Sequence, residues 1–111
     1  MSTLRGEEII ARSFANEGVE AFFFMMGGPT SGTAEACLKL GMKGYYVRHE
    51  QAAAMAAHAY ARVTGKPGIC ITPAGPGTAN AITGLANAWA DASPIIAIGG
   101  ASPQRATSME A

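Results

Sequence analysis

Four short runs of β-branched and aromatic residues, each closed by glycine, proline or a single acid, alternate with stretches of good helix formers. Few architectures accept that order. The runs are Val19 to Met26, Tyr45 to His49, Gly68 to Thr72 and Pro94 to Ile98. The segment Ala21-Phe22-Phe23-Phe24-Met25-Met26 is apolar on both faces, as in a central parallel strand. Strand–helix alternation predicts a parallel sheet joined by right-handed crossovers. The fold class is therefore α/β, a three-layer α/β/α arrangement around a mostly parallel sheet.

The helices follow from propensity and punctuation. Thr3 can cap a helix from about Leu4 to Asn16, with Ile9, Ile10, Ser13 and Phe14 inward, Glu7, Glu8 and Arg12 wet, and Gly18 closing it. Gly27-Gly28-Pro29 breaks the first strand, and a short helix from about Ser31 to Leu40 ends at Gly41. From Gln51 to Val63 there is no Gly or Pro, and seven alanines fall between Ala52 and Ala61. Alanine is the best helix former and allows close approach to a sheet or a second helix. Met55, His58, Arg62 and Lys66 are placed outward. A further helix, Thr78 to Ala92, carries Ile82, Leu85, Ala86 and Trp89 on its face. Residues Ala101 to Ala111 supply no closing element, so the domain is expected to be incomplete.

Composition removes several function classes. The 111 residues carry no net charge, so nothing marks a nucleic-acid or anionic-membrane partner. No apolar run approaches the roughly 18 residues of a bilayer span. The start, Met1 to Glu8, has two acids and no apolar core of a signal peptide. Cys37 and Cys70 lie far apart and suggest reduced cytosolic thiols, neither a disulfide nor a metal site. Apolar content is 49% and charged content 14%. A surface that dry is expected to meet a partner.

The candidate chemistry lies where strand ends converge. In a parallel sheet, Gly27-Gly28-Pro29, Glu50, Gly75-Pro76-Gly77 and Gly99-Gly100 share one edge, which is where open α/β sheets bind ligands. Three loops are glycine-rich and let backbone approach a ligand closely. The fourth brings one carboxylate, Glu50, at the end of what reads as a short buried strand. A simpler reading makes Glu50 an acid in a helix first turn, favoured by the helix dipole. Desolvation among small apolar neighbours is expected to raise its pKa toward neutrality. His49 alternates to the other side and reads as structural. Asp91 reads as a solvated charge. Met55 and Trp89 read as core or interface.

A dinucleotide site fits poorly. Gly75-Pro76-Gly77-Thr78-Ala79-Asn80 imitates GxGxxG, but Asn80 replaces the third glycine and Pro76 lacks an N–H donor. No acid follows Ile98 to hold a ribose. Gly65-Lys66 lacks the earlier glycine of a P-loop, since position 60 is Tyr. The residues thus favour a flat organic ligand gripped by tight loops, with one carboxylate aimed at it.

Three motifs then carry a resemblance: Arg48-His49-Glu50-Gln51-Ala52-Ala53, Tyr60-Ala61-Arg62-Val63-Thr64-Gly65-Lys66-Pro67-Gly68, and Gly75-Pro76-Gly77-Thr78-Ala79-Asn80 with Gly84. Together they resemble the N-terminal pyrimidine-binding domain of thiamine-diphosphate enzymes, in the branch of acetolactate synthase, 2-hydroxyacyl-CoA lyase and oxalyl-CoA decarboxylase. The first loop, Met26-Gly27-Gly28-Pro29-Thr30, departs from the glycine, other residue, Pro-Gly order of many relatives. The resemblance implies that Glu50 bonds N1′ of the cofactor's aminopyrimidine and favours the imino tautomer, whose 4′-nitrogen takes the C2 proton. It implies that Pro29, Gly75, Pro76 and Asn80 lie beside the pyrimidine. It also implies a 2-oxo acid or acyl-CoA substrate and a cytoplasmic homodimer or homotetramer with the cofactor between subunits. Residues 1–111 would be the N-terminal part of this domain, with no metal ligand of their own. Mg2+ would be held with the diphosphate by a domain not present here. The Gly99-Gly100-Ala101-Ser102 stretch, followed by Met109-Glu110, leans toward the acyl-CoA branch. The competing readings are a non-catalytic α/β assembly module and, less well supported, a nucleotide-binding domain.

Overall fold

The computed structural model describes residues 3–107. Four strands, β1 (Ala21–Phe24), β2 (Lys43–Tyr46), β3 (Gly68–Thr72) and β4 (Ile95–Gly99), form one sheet in the order β2-β1-β3-β4, and every pairing is parallel. Alternation along the strands divides the core into two halves. Phe22, Phe24, Ile69 and Ile71 pack on one face with Ala11, Phe14, Ala34 and Cys37. These come from α1 (Gly6–Asn16) and α2 (Gly28–Lys39). Cys70 and Phe23 face the other way, onto Ala53, Ala54, Ala57 and Ala81. There lie α3 (Glu50–Thr64), α4 (Pro76–Asn80) and α5 (Ile82–Ala90). The expected three-layer α/β/α fold is what the chain forms. No helix among the described residues is long and apolar enough to cross a membrane.

Several elements differ from expectation for local physical reasons. Helix α1 starts after Arg5, not Thr3, because the Glu8 carboxylate accepts the Arg5 backbone N–H at 2.8 Å. Its inward stripe is Ile10, Ala11 and Phe14; Ile9 is 53% exposed and Ser13 is exposed. Gly18 does close the helix, at φ +75°. Helix α2 begins at Gly28, with Pro29 in its first turn, where a missing N–H costs no hydrogen bond. Strand β2 is an exposed edge strand, not a buried one, and it ends at Tyr46. A short helix, α6 (Gln104–Thr107), lies within the tail expected to carry no element. The Met109-Glu110 pair lies outside the described residues.

The predicted helix from Thr78 to Ala92 is two helices, divided at Ala81. Its inward side is Ala81, Gly84 and Ala88, with Leu85 half-buried. Ile82 and Trp89 point out, and Trp89 is 88% exposed. The inward side is small because α5 lies almost on α3: a Cβ at Gly84 would sit 2.6 Å from the Ala54 Cβ. Trp89→Ala is therefore expected to change the unfolding free energy of the chain by less than about 0.5 kcal/mol, as surface substitutions do. Urea denaturation checks this, and a loss of several times that size would show Trp89 packed.

Both cysteines are free and buried, on opposite faces of the sheet. Burial pushes each thiol up to about 11. They are small core hydrophobes held in the neutral thiol form.

Candidate functional site

The loops at the C-terminal edge meet as the sequence implies. Strands β1 and β3 are neighbours, but α2 leads from β1 to β2 on one face and α3 returns from β2 to β3 on the other. Strand order reverses there, the place where such sheets leave a crevice. Gly27 and Gly77 both press on Pro73, and a Cβ at either would come within 2.5 and 2.8 Å of the Pro73 Cβ. Gly99 rests against Thr78, and Gly100 lies against Ala74, Pro29 and Thr30. Thr78 Oγ1 donates to the Pro73 carbonyl at 2.7 Å and lies 3.3 Å from Thr72 Oγ1. With the Thr78 proton engaged, Thr72 is the donor of that second bond. This pair of threonines, at the end of β3 and in α4, braces the Pro73–Gly77 loop; the sequence assigns neither a bracing role, since a hydroxyl contact between two threonines six positions apart has no distinctive pattern.

Gly75 takes φ +62° and ψ −118°, a backbone conformation that suits glycine. It turns the chain into α4, where Pro76 fills the first helical position. Pro29, Gly75, Pro76 and Asn80 are all exposed on this rim.

Glu50 is the first residue of α3, not the last of a strand. His49 has extended backbone and caps the helix, its Nδ1 accepting the Gln51 backbone N–H at 3.1 Å. The structural role expected of His49 is the one found. Glu50 is only 7% exposed. Asn80 Nδ2 donates to Glu50 Oε2 at 3.0 Å. Thus Glu50 is both a first-turn acid and a buried carboxylate, at the rim that the glycine loops share.

The expected rise in the Glu50 pKa is not found. The Asn80 amide, and after it the backbone N–H of Glu50 itself, hold the carboxyl below the usual carboxylate value. Desolvation acts the other way and is outweighed, because hydrogen bonds to the charged form favour it. Glu50 is an ionised acceptor at neutral pH. An ionised carboxylate has about four lone-pair sites. Asn80 is its only side-chain hydrogen-bond partner among the described residues. The remaining capacity fits a ring nitrogen that carries a proton.

The Glu50–Asn80 bond also sets a pH dependence. A carboxyl whose folded pKa is depressed stabilises the fold above its unfolded value, here 4.5, and that contribution is lost as pH falls through the folded pKa. Asn80→Ala is expected to cost about 1.5 kcal/mol at neutral pH, the lower end for a hydrogen bond to a charged group. The difference from wild type should shrink below pH 4.5. Paired urea titrations at pH 7 and pH 3 read this out; a pH-independent difference would detach Asn80 from the Glu50 charge.

Two cavities, of about 350 and 480 Å³, lie elsewhere, the first between α1 and α2 and the second lined by Val19, Met42, Tyr45 and Tyr60 among others. Neither contains Glu50. His58, expected outward, is 6% exposed. Asp91, expected to be solvated, lies beside His58 and Arg62. Among the described residues no group of three or more His, Cys, Asp or Glu side chains is arranged to hold a metal ion.

The chain is similar to several curated proteins. It is 39% identical over 102 residues to a probable acetolactate synthase large subunit of Methanocaldococcus jannaschii, covering 92% of this chain and 17% of that protein. It is 42% identical over 97 residues to the acetolactate synthase isozyme 2 large subunit of Escherichia coli, covering 87% and 18%. It is 37% identical over 103 residues to the 2-hydroxyacyl-CoA lyase of Arabidopsis thaliana, covering 93% and 18%. The chain thus spans less than a fifth of the length of these relatives. A family model described as "Thiamine pyrophosphate enzyme, N-terminal TPP binding domain" matches residues 4–111. With its parallel sheet and its glycine-rich rim around Glu50, the chain belongs to that thiamine pyrophosphate enzyme family.

Proposed function

We propose that this chain is the pyrimidine-binding segment of a thiamine-diphosphate enzyme that breaks or makes C–C bonds, with Glu50 as the group facing the aminopyrimidine N1′. The observation that carries the reading is the Glu50 carboxylate: buried, ionised, bonded to Asn80, with acceptor capacity left over at the glycine-rich rim. When bound, the cofactor supplies an acidic thiazolium C2 that can add to a carbonyl carbon. Glu50 favours the form of the ring that places a proton on the nitrogen facing it. Asn80 fixes the direction of the carboxylate. Pro29 and Pro76 offer rigid rings, and Gly75 bare backbone, for a flat ring to lie against. Covering Glu50 with a ligand raises its pKa from the depressed starting value, toward sharing a proton with that ring.

The substrate class proposed is a 2-oxo acid or a 2-hydroxyacyl- or oxalyl-CoA, as the names of the relatives suggest. A separate diphosphate-binding domain would hold Mg2+ with the diphosphate, and a central domain would lie between the two. The cofactor would lie between subunits of a cytoplasmic homodimer or homotetramer. The outward Trp89 and Ile82 of α5 and Met55 of α3 suit such a subunit contact. Proton exchange at C2 of bound thiamine diphosphate, compared between the assembled wild-type enzyme and Glu50→Gln, tests the reading. Equal exchange in the two would overturn it.

A further inference from the structure

Helix α4 has only five residues, too few to be stable on local hydrogen bonds alone. Its backbone bonds stay within its own turn: Gly77 N–H donates to the Ala74 carbonyl, Ala79 N–H to Gly75 and Ala81 N–H to Thr78. Apolar contacts set how near it lies to its neighbours. Gly77 presses on Pro73, and Ala81 packs among the alanines of α3. Such contacts are non-directional, so direction comes from polar ties. Among the described residues two side chains of α4 make them, Thr78 and Asn80. Two positions apart, they lie about 200° apart around the helix axis. Asn80 reaches α3 and donates to Glu50 Oε2 at 3.0 Å. Thr78 reaches the other way, to the end of β3. Its hydroxyl donates to the Pro73 carbonyl at 2.7 Å and accepts from the buried Thr72 hydroxyl at 3.3 Å. Strand β4 closes on the same side chain: a Cβ at Gly99 would come within 2.6 Å of Thr78 Oγ1 and 2.8 Å of its Cγ2.

We propose that Thr78 is a positioning residue of this site: its hydroxyl ties α4 to the end of β3 and so sets where the Asn80 amide meets the Glu50 carboxylate. The consequence for catalysis rests on the function proposed above; the coupling of Thr78 to Glu50 does not. The two ties act from opposite sides of one short helix, with no longer path between them. Glu50 has its own support, because His49 caps α3 without help from α4. Removing the Thr78 hydroxyl therefore acts on the amide and leaves the carboxylate where it is. The amide is the first cause of the depressed Glu50 pKa, so its displacement is read directly at Glu50. Other charges bear on Glu50 equally in every variant. His49 is the charged neighbour that acts on it. Strands β1 and β4 and helices α4 and α5 carry no ionisable side chain, and the Cys70 thiol of β3 stays neutral, held up at about 11 by burial.

The test follows the Glu50 carboxyl carbon of the 111-residue chain by NMR as pH falls from 7 to 3, in wild type, Asn80→Ala, Thr78→Ala and Thr78→Ser. Thr78 is half-buried, and alanine is smaller and a better helix former, so the Thr78→Ala chain keeps its fold. Asn80→Ala should move the Glu50 titration point up toward 4.5, and Thr78→Ala should move it in the same direction with Asn80 still present. Thr78→Ser keeps the hydroxyl and should return the titration point toward that of wild type. A purely structural role for Thr78 would lower the urea midpoint without moving Glu50, because the carboxyl is read in folded molecules. A Glu50 titration point left in place by Thr78→Ala would overturn the proposal. So would one that Asn80→Ala leaves in place, or a rise that Thr78→Ser does not reverse. No cofactor is present, so an unmoved Glu50 leaves the proposed function standing, and equal C2 exchange in Glu50→Gln leaves this coupling standing.

Discussion

Glu50→Gln in the assembled enzyme is expected to slow C2 proton exchange of bound thiamine diphosphate by about 10²–10⁴-fold, the range for a positioned acid–base group. Glutamine has nearly the same shape and keeps an oxygen that Asn80 can donate to, so the rim should stay folded. What it removes is the negative charge. If Glu50 acts as proposed, the ring nitrogen opposite it would then have no reason to hold a proton. Cofactor binding should weaken far less than exchange, because on the proposed reading the loops after β1 and β3 would still offer their backbone to the ring. Quenched-flow NMR of the C2 proton, with bound cofactor measured in parallel, separates the two effects. Loss of binding with normal exchange in the residual complex would make Glu50 a binding residue only.

Gly68→Val is expected to prevent folding, or to cost about 4 kcal/mol or more, at the severe end for point mutants. The reason is backbone contact: a Cβ at Gly68 would run into the Ala57 carbonyl of α3, and the Ala57 carbonyl carbon would be 2.7 Å away. Neither partner is a side chain that can swing aside. Total stability for a domain this size is about 5–15 kcal/mol, so the change takes a large share of it. Gly6 is the control, since nothing lies within 4 Å of a Cβ there and it opens α1. Gly6→Ala should be neutral or stabilise by up to about 1 kcal/mol. Urea midpoints and the dispersion of the NMR spectrum provide the measurement. A Gly68→Val chain with the wild-type midpoint would mean that α3 does not rest on β3.

The sheet was legible because its signals are local. Phe22, Phe24, Ile69 and Ile71 lie in apolar runs cut by glycine and proline, and parallel pairing puts the cuts on one edge. Glu50 stood out because it is the one acid on that edge. The helix faces were harder to see. Hydrophobic patterning assigns Ile82 and Trp89 inward, but α3 and α5 lie so close that only Ala81, Gly84 and Ala88 fit between them. The same preference for small residues hid Ala11 behind Ile9 and Ser13 in α1. His58 and Asp91 looked solvated because their contact spans 33 positions and has no periodic signature. The Glu50 pKa was misjudged in direction because its strongest determinant, Asn80, is 30 residues away in sequence. Burial alone predicts a rise, and one amide reverses it.

Strand β4 leaves one flank without a hydrogen-bonded neighbour among the described residues, and its four leading residues, Ile95, Ile96, Ala97 and Ile98, are all apolar. It carries no lysine, proline or bulge to repel a newcomer, the usual defences of a sheet margin. Such a margin is a template, open to whatever extended backbone reaches it first. An extended segment of matching length can pair along that margin, and the β4 of a second copy of the chain is one such segment.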